Sequence, residues 1–195
     1  KQLGVELDDA HRALADAQLI HQFWQKIHVD RNTQEIEAAL NAQNAHPSLP
    51  PPKRMVLLRR WLPAIRRPIS RRQHMCVSFT DSPEVLEFVN ARRMPQIASV
   101  GPATPDHMLR TKRLPLIVHG RGRVAATASP KDLAQQLERY AAGHARYFLQ
   151  HKHPGQTMQD PYPRVLLIPG VGMLTTGKDA TEAAMVAEIY RHAMA

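Results

Sequence analysis

Cysteine is almost absent from the 195-residue chain, which contains only Cys76. A lone cysteine excludes an internal disulfide framework and a cysteine-rich metal site. Because Cys76 lies in the apolar run HMCVSFT, we interpret its side chain as a buried core thiol.

Long apolar runs and a leader sequence are also missing. No stretch reaches the roughly 18 apolar residues that a membrane-spanning helix needs. The first residues, KQLGVELDDAHRALAD, are acidic and helical in pattern, unlike a signal peptide. We therefore expect a cytoplasmic protein with no membrane span. The chain does not begin with methionine, which is expected of a piece of a longer protein or of a chain whose tag has been removed.

Two catalytic fingerprints are absent as well. The chain has no G-x-x-x-G-x-G or G-x-G-x-x-G turn, so we expect no nicotinamide site. The segment HGRGR at 119–123 has two glycines after an apolar run but no third, and we interpret it as a turn in which His119 ends a strand. No G-x-S-x-G elbow supports a serine nucleophile.

The net charge of +9 comes from one segment. Residues 53–72 hold eight basic residues and no acid, and the remaining basic residues nearly balance the 17 acids. Such a run favours either a solvated helix face or a nucleic-acid-binding module. Trp61 is its only aromatic residue. The predicted apolar face of this helix, which must pack on other residues, consists of Met55, Leu58, Leu62 and Ile65, and Pro63 and Pro68 must kink or end the helix.

The order of predicted elements divides the chain in two. Helices are predicted over 8–28 and 32–42, and the proline-rich stretch NAHPSLPPPK then breaks the pattern. We predict a helical segment with a linker over 1–52 and an α/β domain over 53–195. Within that domain, apolar runs predict three strands, in HMCVSFT, LPLIVHG and RVLLIPGVGML, the last with a glycine turn. The strands alternate with helices: one capped by Thr80 or Asp81 with Pro83 in its first turn, one beginning at Ser129, and one capped by Asp179 or Thr181.

The segment GPATPDHMLRTKRLPL at 101–116 has two interpretations. Thr104 is a suitable N-cap for a short helix with Pro105 in its first turn, and basic residues lie near its C-terminal end. The alternative is an anion site, since helix termini and basic side chains attract the same charge. The candidate anion-binding residues are Thr104, His107, Arg110, Lys112 and Arg113.

Two quoted stretches carry a family resemblance. GPATPDHMLRTKRLPLIV and DPYPRVLLIPGVGMLTTGKDATEAAMVAEIYRHAM resemble bifunctional proteins that join a class II aldolase/adducin-type domain to a short-chain dehydrogenase, of the rhamnulose-1-phosphate aldolase/lactaldehyde dehydrogenase type. The resemblance extends from about His74 to Ala195. It implies a mixed sheet flanked by helices, a role in rhamnose catabolism, and a position just before the dehydrogenase domain.

In the resembled family, zinc is held by an H-x-H pair and by the histidine of an NHGxxxxGKD motif. Here GMLTTGKD reproduces the spacing, but Val171 stands where the family has its ligand. His151 and His153 in HKHPG have H-x-H spacing, although they follow a helical stretch and precede Pro154, which favours an exposed helix end. We expect no metal site in this chain, with zinc and NAD bound elsewhere in the parent protein.

The functional prediction follows from the resemblance. We expect an aldolase-like portion of a sugar-phosphate aldolase/dehydrogenase, inactive alone, with a scaffold, interface or phosphate-binding role. Its expected partners are the flanking domains, a sugar phosphate and a second copy of the chain. The alternatives are a nucleic-acid-binding module using 53–72 and an independent metal-dependent lyase.

Overall fold

The computed structural model describes residues 46–102 and 104–194, so the helices predicted over 8–28 and 32–42 lie outside the described residues. Within that part, the sheet has four strands, β1 (Cys76–Thr80), β2 (Leu116–Ile117), β3 (Val165–Ile168) and β4 (Gly172–Gly177). Their order is β1-β4-β3-β2. Strand β4 is antiparallel to both neighbours, whereas β2 is parallel to β3. The predicted mixed sheet is confirmed.

Six α-helices accompany the sheet in the described part of the chain. They are α1 (Pro51–Ile69), α2 (Pro83–Asn90), α3 (Met94–Ala98), α4 (Pro105–Thr111), α5 (Pro130–His151) and α6 (Ala180–His192). Two 3-10 turns, Arg121–Arg123 and Ala125–Thr127, connect β2 to α5. Helix α1 packs on α5, and α6 packs on β1 and β4.

Helices cover both faces of the sheet. Leu166 and Leu174 share a buried cluster with residues of α1 and α5. Thr175, the next residue of β4, donates a hydrogen bond from its hydroxyl to the backbone oxygen of Ala183 in α6 at 2.8 Å. Since successive residues of a strand point to opposite faces, α1 and α5 cover one face and α6 covers the other.

The buried face of α1 differs from the prediction. Leu58 and Ile65 are buried as expected, but Met55 is 46% exposed and Trp61 is fully buried. Arg54 takes the buried position at this end of the helix, because its guanidinium reaches the carboxylate of Asp81 at 3.3 Å. The helix also continues past its exposed internal proline at position 63 and ends after the second proline at position 68.

Two strand predictions need correction. RVLLIPGVGML, predicted as one strand with a glycine turn, forms two strands: the chain reverses between β3 and β4, with Gly170 at a φ of 80° that favours glycine. The turn is held from outside the hairpin, since the backbone N–H of Gly170 donates to the side-chain oxygen of Asn90 at 2.6 Å. Cys76, interpreted as a buried thiol, is only half-buried on the edge strand β1.

Helix capping follows the sequence more closely. Ser129 caps α5 and forms a capping box with Asp132, in which each side chain bonds the other residue's backbone N–H. Asp179 caps α6 by accepting from the backbone N–H of Glu182 at 2.7 Å. These local signals fixed where both long helices begin.

Candidate functional site

The first half of the candidate anion site is a helix cap. The hydroxyl of Thr104 accepts a hydrogen bond from the backbone N–H of His107 at 3.2 Å, as the capped-helix interpretation predicts. Helix α4 ends at Thr111, and the next residue, Lys112, has a φ of 66°, which is uncommon for a residue with a side chain. The motif therefore contains a turn that reorients the chain between Arg110 and Arg113.

Lys112 points into the protein. It is 7% exposed, and its Nζ donates to the backbone oxygen of Asp160 at 2.5 Å. Burial lowers the pKa of Lys112 to about 8, with a further lowering from the positive charge of Arg164 and an opposing contribution from Asp160. Desolvation of the ammonium is thus the main electrostatic feature of this residue.

The other basic residues diverge from Lys112. Arg110 is exposed on α4. The Arg113 guanidinium lies over the ring of Tyr147 in α5, 4.6 Å from its centroid, in a cation–π arrangement. The structure therefore separates the predicted cations, and anion binding by Thr104, His107, Arg110, Lys112 and Arg113 as one group stays a prediction.

Raising the pH from about 7.5 to about 9.5 is expected to stabilise the fold through Lys112. Between the folded pKa of about 8 and the ordinary value of 10.5, the unfolded chain binds a proton that the folded chain does not. The free energy of unfolding therefore rises with pH in this window, by about 2 kcal/mol. Denaturant titrations across the range should show this rise in the natural sequence and its loss in Lys112→Met. Equal pH slopes in the two proteins would contradict the assignment.

A small cavity lies beside Arg113. The α5 pocket, as we name it, has a volume of about 250 Å³ and is lined by Arg113, Leu114, Tyr140, Gly143, His144 and Tyr147. The Tyr140 hydroxyl donates to the backbone oxygen of Leu114 at 2.6 Å, which joins α5 to the chain before β2. Burial raises the pKa of Tyr140, so this hydroxyl stays protonated.

His144 experiences a positive environment in this pocket. Burial lowers its pKa first, and the charges of Lys112 and Arg113 lower it further, while Asp160 opposes them. Because nearby cations add to the effect of burial on the pKa of His144, an added negative charge would be favourable at this place.

A second, wider groove has Tyr140 in its lining as well. This β2 groove, of about 680 Å³, lies between the chain around β2 and the face of α5 that carries Asp132, Gln136 and Arg139. The Gln136 side chain donates to the backbone oxygen of His119 at 2.8 Å and accepts from its backbone N–H at 2.9 Å. The backbone just after β2 is therefore already hydrogen-bonded to a side chain of α5.

Both glycines of the GMLTTGKD motif have a structural role. Gly172 has a φ of 136°, and a Cβ there would lie 2.6 Å from the backbone oxygen of Thr80. A Cβ on Gly177 would overlap the backbone of α6 at Glu182 and Ala183. The two glycines therefore allow β4 to approach β1 and α6 closely.

Val171 is fully buried in the core cluster at the turn before β4. A valine side chain has no atom that can ligate a metal. The residues at this position therefore do not fit the zinc ligand that the resembled motif supplies.

The H-x-H alternative lies at a helix end. His151 is the last residue of α5, His153 follows in a loop, and both are exposed. The His151 ring packs near Tyr147, 4.5 Å between centroids. Among residues 46–102 and 104–194, no group of three or more histidine, cysteine, aspartate or glutamate side chains is arranged to hold a metal ion.

The arginine-rich segment presents charge without an exposed aromatic ring. Trp61 is fully buried, and its Nε1 donates to the backbone oxygen of Ala128 at 3.0 Å. Base stacking, which sequence-tolerant binding of single strands uses, therefore has no contribution from this segment. One of the arginines of the segment, the exposed Arg71, forms an ion pair with the carboxylate of Glu138 at 2.9 Å.

Sequence reasoning missed Tyr140, Gly143 and His144. Tyr140 and His144 lie seven residues after Leu133 and Leu137, so they continue the same face of α5 toward its C-terminal end, and Gly143 lies beside them. The available signal was that polar and aromatic residues replace leucine at the last positions of the buried face of α5.

Comparisons with known proteins agree with this architecture. The family model described as aldolase class II, second domain, matches residues 57–195. A Bacillus subtilis (strain 168) protein named uncharacterized oxidoreductase YuxG is 34% identical over 148 residues, covering 75% of this chain. The chain spans 22% of that relative's length.

No solved structure gives a significant match. None of the helices described here is long and apolar enough to cross a membrane. The chain belongs to the class II aldolase family, in which it matches the second domain.

Proposed function

We propose that this domain is a non-catalytic part of a longer sugar-phosphate aldolase joined to a short-chain dehydrogenase. The main support for the proposal is the burial of Val171. This valine packs in the core at the position where the resembled motif has a zinc ligand. The domain keeps the glycines that the hairpin and α6 need, so it retains the scaffold without that ligand.

The length of the relative supports a longer parent protein. The relative is named an oxidoreductase, and the matched part is a small share of it. In this proposal, zinc, NAD and the H-x-H pair belong to the flanking domains. The present domain shapes the substrate channel or an interface and contributes to phosphate binding.

The purified chain is expected to bind no stoichiometric zinc and to cleave no sugar phosphate. An aldolase metal stabilises the enediolate of its substrate, so loss of a ligand weakens both metal binding and the electrophile. Elemental analysis after exhaustive dialysis, together with an aldol-cleavage assay, measures both properties. About one zinc per chain, lost in the double variant H151A/H153A, would overturn the proposal in favour of an independent metal-dependent lyase.

The bifunctional architecture has a separate test. The complete reading frame is expected to encode an H-x-H-containing segment before this domain and a glycine-rich dinucleotide-binding turn after it. If the frame encodes neither, the domain is not part of an aldolase/dehydrogenase.

A further inference from the structure

We propose that the α5 pocket binds the phosphoryl group of a small phosphate monoester, whose organic part extends into the β2 groove. This inference rests on the proposed function in one respect, since the sugar-like organic part of the ester is taken from the proposed sugar-phosphate substrate. The anion site itself is argued from the pocket residues, and five of the six, all except Arg113, are outside the set predicted from the sequence.

Charge is the first argument. Arg113 and His144 line the pocket, and no acidic residue lines it. The positive charges of Lys112 and Arg113 act on His144, that of Arg164 acts on Lys112, and the carboxylate of Asp160 opposes them at both residues. The cations around the pocket therefore outnumber the acids. An entering dianion would gain favourable interactions at a partly desolvated site.

Geometry is the second argument. Stacking on Tyr147 holds the Arg113 guanidinium at one wall of the pocket. A planar guanidinium can donate two parallel hydrogen bonds to a phosphate, and stacking leaves its edge free to do so.

Room is the third argument. Gly143 lies inside the 22-residue helix α5, and a Cβ added there would meet no atom within 4 Å. Glycine is unfavourable in a helix interior compared with alanine. The missing side chain leaves open the space in which the phosphoryl group would lie.

The β2 groove indicates how the ligand extends. It shares the lining residue Tyr140 with the α5 pocket, and it offers Leu116 and Ile117 as apolar contacts, Arg139 as a donor and Asp132 as an acceptor for hydroxyl groups. Strand addition at β2 is disfavoured, because Gln136 and Tyr140 already bond the backbone at His119 and Leu114. A compact ester fits the open space better than an extended peptide.

The test follows the histidine ring signals by NMR during titration with inorganic phosphate and with glycerol 1-phosphate, using chloride at matched ionic strength as control. Binding is expected to raise the pKa of His144, because the anion offsets the charges of Lys112 and Arg113 while Asp160 is unchanged. R113Q and G143L should each weaken phosphate binding by about tenfold or more. A142L places the same leucine on the same helix outside the pocket and should bind like the natural sequence.

Three results would overturn the inference. Equal effects of chloride and phosphate would mean screening only. A shift at His107 without one at His144 would place the anion at α4. Unchanged affinity in folded G143L would place it elsewhere. The zinc measurement is independent: stoichiometric zinc would remove the proposed function, whereas the His144 titration would still decide the phosphate site.

Discussion

Trp61→Ala is expected to destabilise the domain by about 3–5 kcal/mol, the largest effect of any single truncation on α1. Trp61 is fully buried in the core cluster, and its indole N–H donates a hydrogen bond to the backbone oxygen of Ala128. Truncation leaves a large cavity between α1 and α5 and an unpaired buried carbonyl. Thermal or denaturant unfolding measures the loss.

Two matched variants separate packing from hydrogen bonding. Trp61→Phe keeps most of the apolar volume and loses the bond to Ala128, so it should cost less than the alanine variant. Val56→Ala changes a residue on the same helix that is 65% exposed, and should stay within about 0.5 kcal/mol of the natural sequence. A loss in Trp61→Ala no larger than in Val56→Ala would contradict the packing described here.

Gly177→Ala is expected to destabilise the domain by about 3 kcal/mol, the second large effect. An added Cβ would overlap the backbone nitrogen of Ala183 and lie 2.8 Å from the carbonyl carbon of Glu182. Backbone atoms cannot move aside by changing rotamer, so β4 and α6 would have to separate. Chemical denaturation, with circular dichroism to verify folding, gives the change in unfolding free energy.

Gly143→Ala is the control for this variant. Its Cβ meets open space in a regular helix, and it should be neutral or stabilising by up to about 1 kcal/mol. If both substitutions are tolerated equally, close packing does not explain the glycine at the end of the GMLTTGKD motif.

Local sequence signals located the beginnings of α4, α5 and α6 correctly, whereas the N-cap of α2 is Ser82 and the short helix α3 was not predicted. Ser129 and Asp179 begin α5 and α6 because their side chains bond the first free N–H groups of each helix. Such bonds involve neighbours within a few residues, so the sequence alone contains the information. The alternation of strands and helices likewise indicated the mixed α/β class.

Predictions that depended on distant neighbours were less successful. Periodicity placed Met55 on the buried face of α1, but Arg54 is buried because Asp81 offers it a partner. The apolar stretch at 164–174 was interpreted as one strand with a glycine turn, whereas it forms the two strands β3 and β4. The Asn90 side chain that holds the turn at Gly170 is 80 positions away and gave no local signal.

At the candidate site too, the sequence indicated the local features and missed the contacts between distant segments. The sequence indicated that Thr104 caps a helix, and it identified the basic residues that follow. It did not indicate that Lys112 is buried against Asp160, or that Arg113 reaches α5 to stack on Tyr147. Both contacts join segments more than 30 residues apart, and a backbone turn at Lys112 with positive φ directs the two side chains differently.

The sequence by itself determined the family motif, the helix caps, the confinement of excess charge to residues 53–72, and the valine at the expected ligand position. Each of these depends on residue identity or short spacing. Only the tertiary structure decided that Val171 is enclosed in the core and that α5 forms a pocket with the chain before β2. Burial and cavities arise where segments distant in sequence pack together, and the packing of those segments determines which side chains lose contact with water.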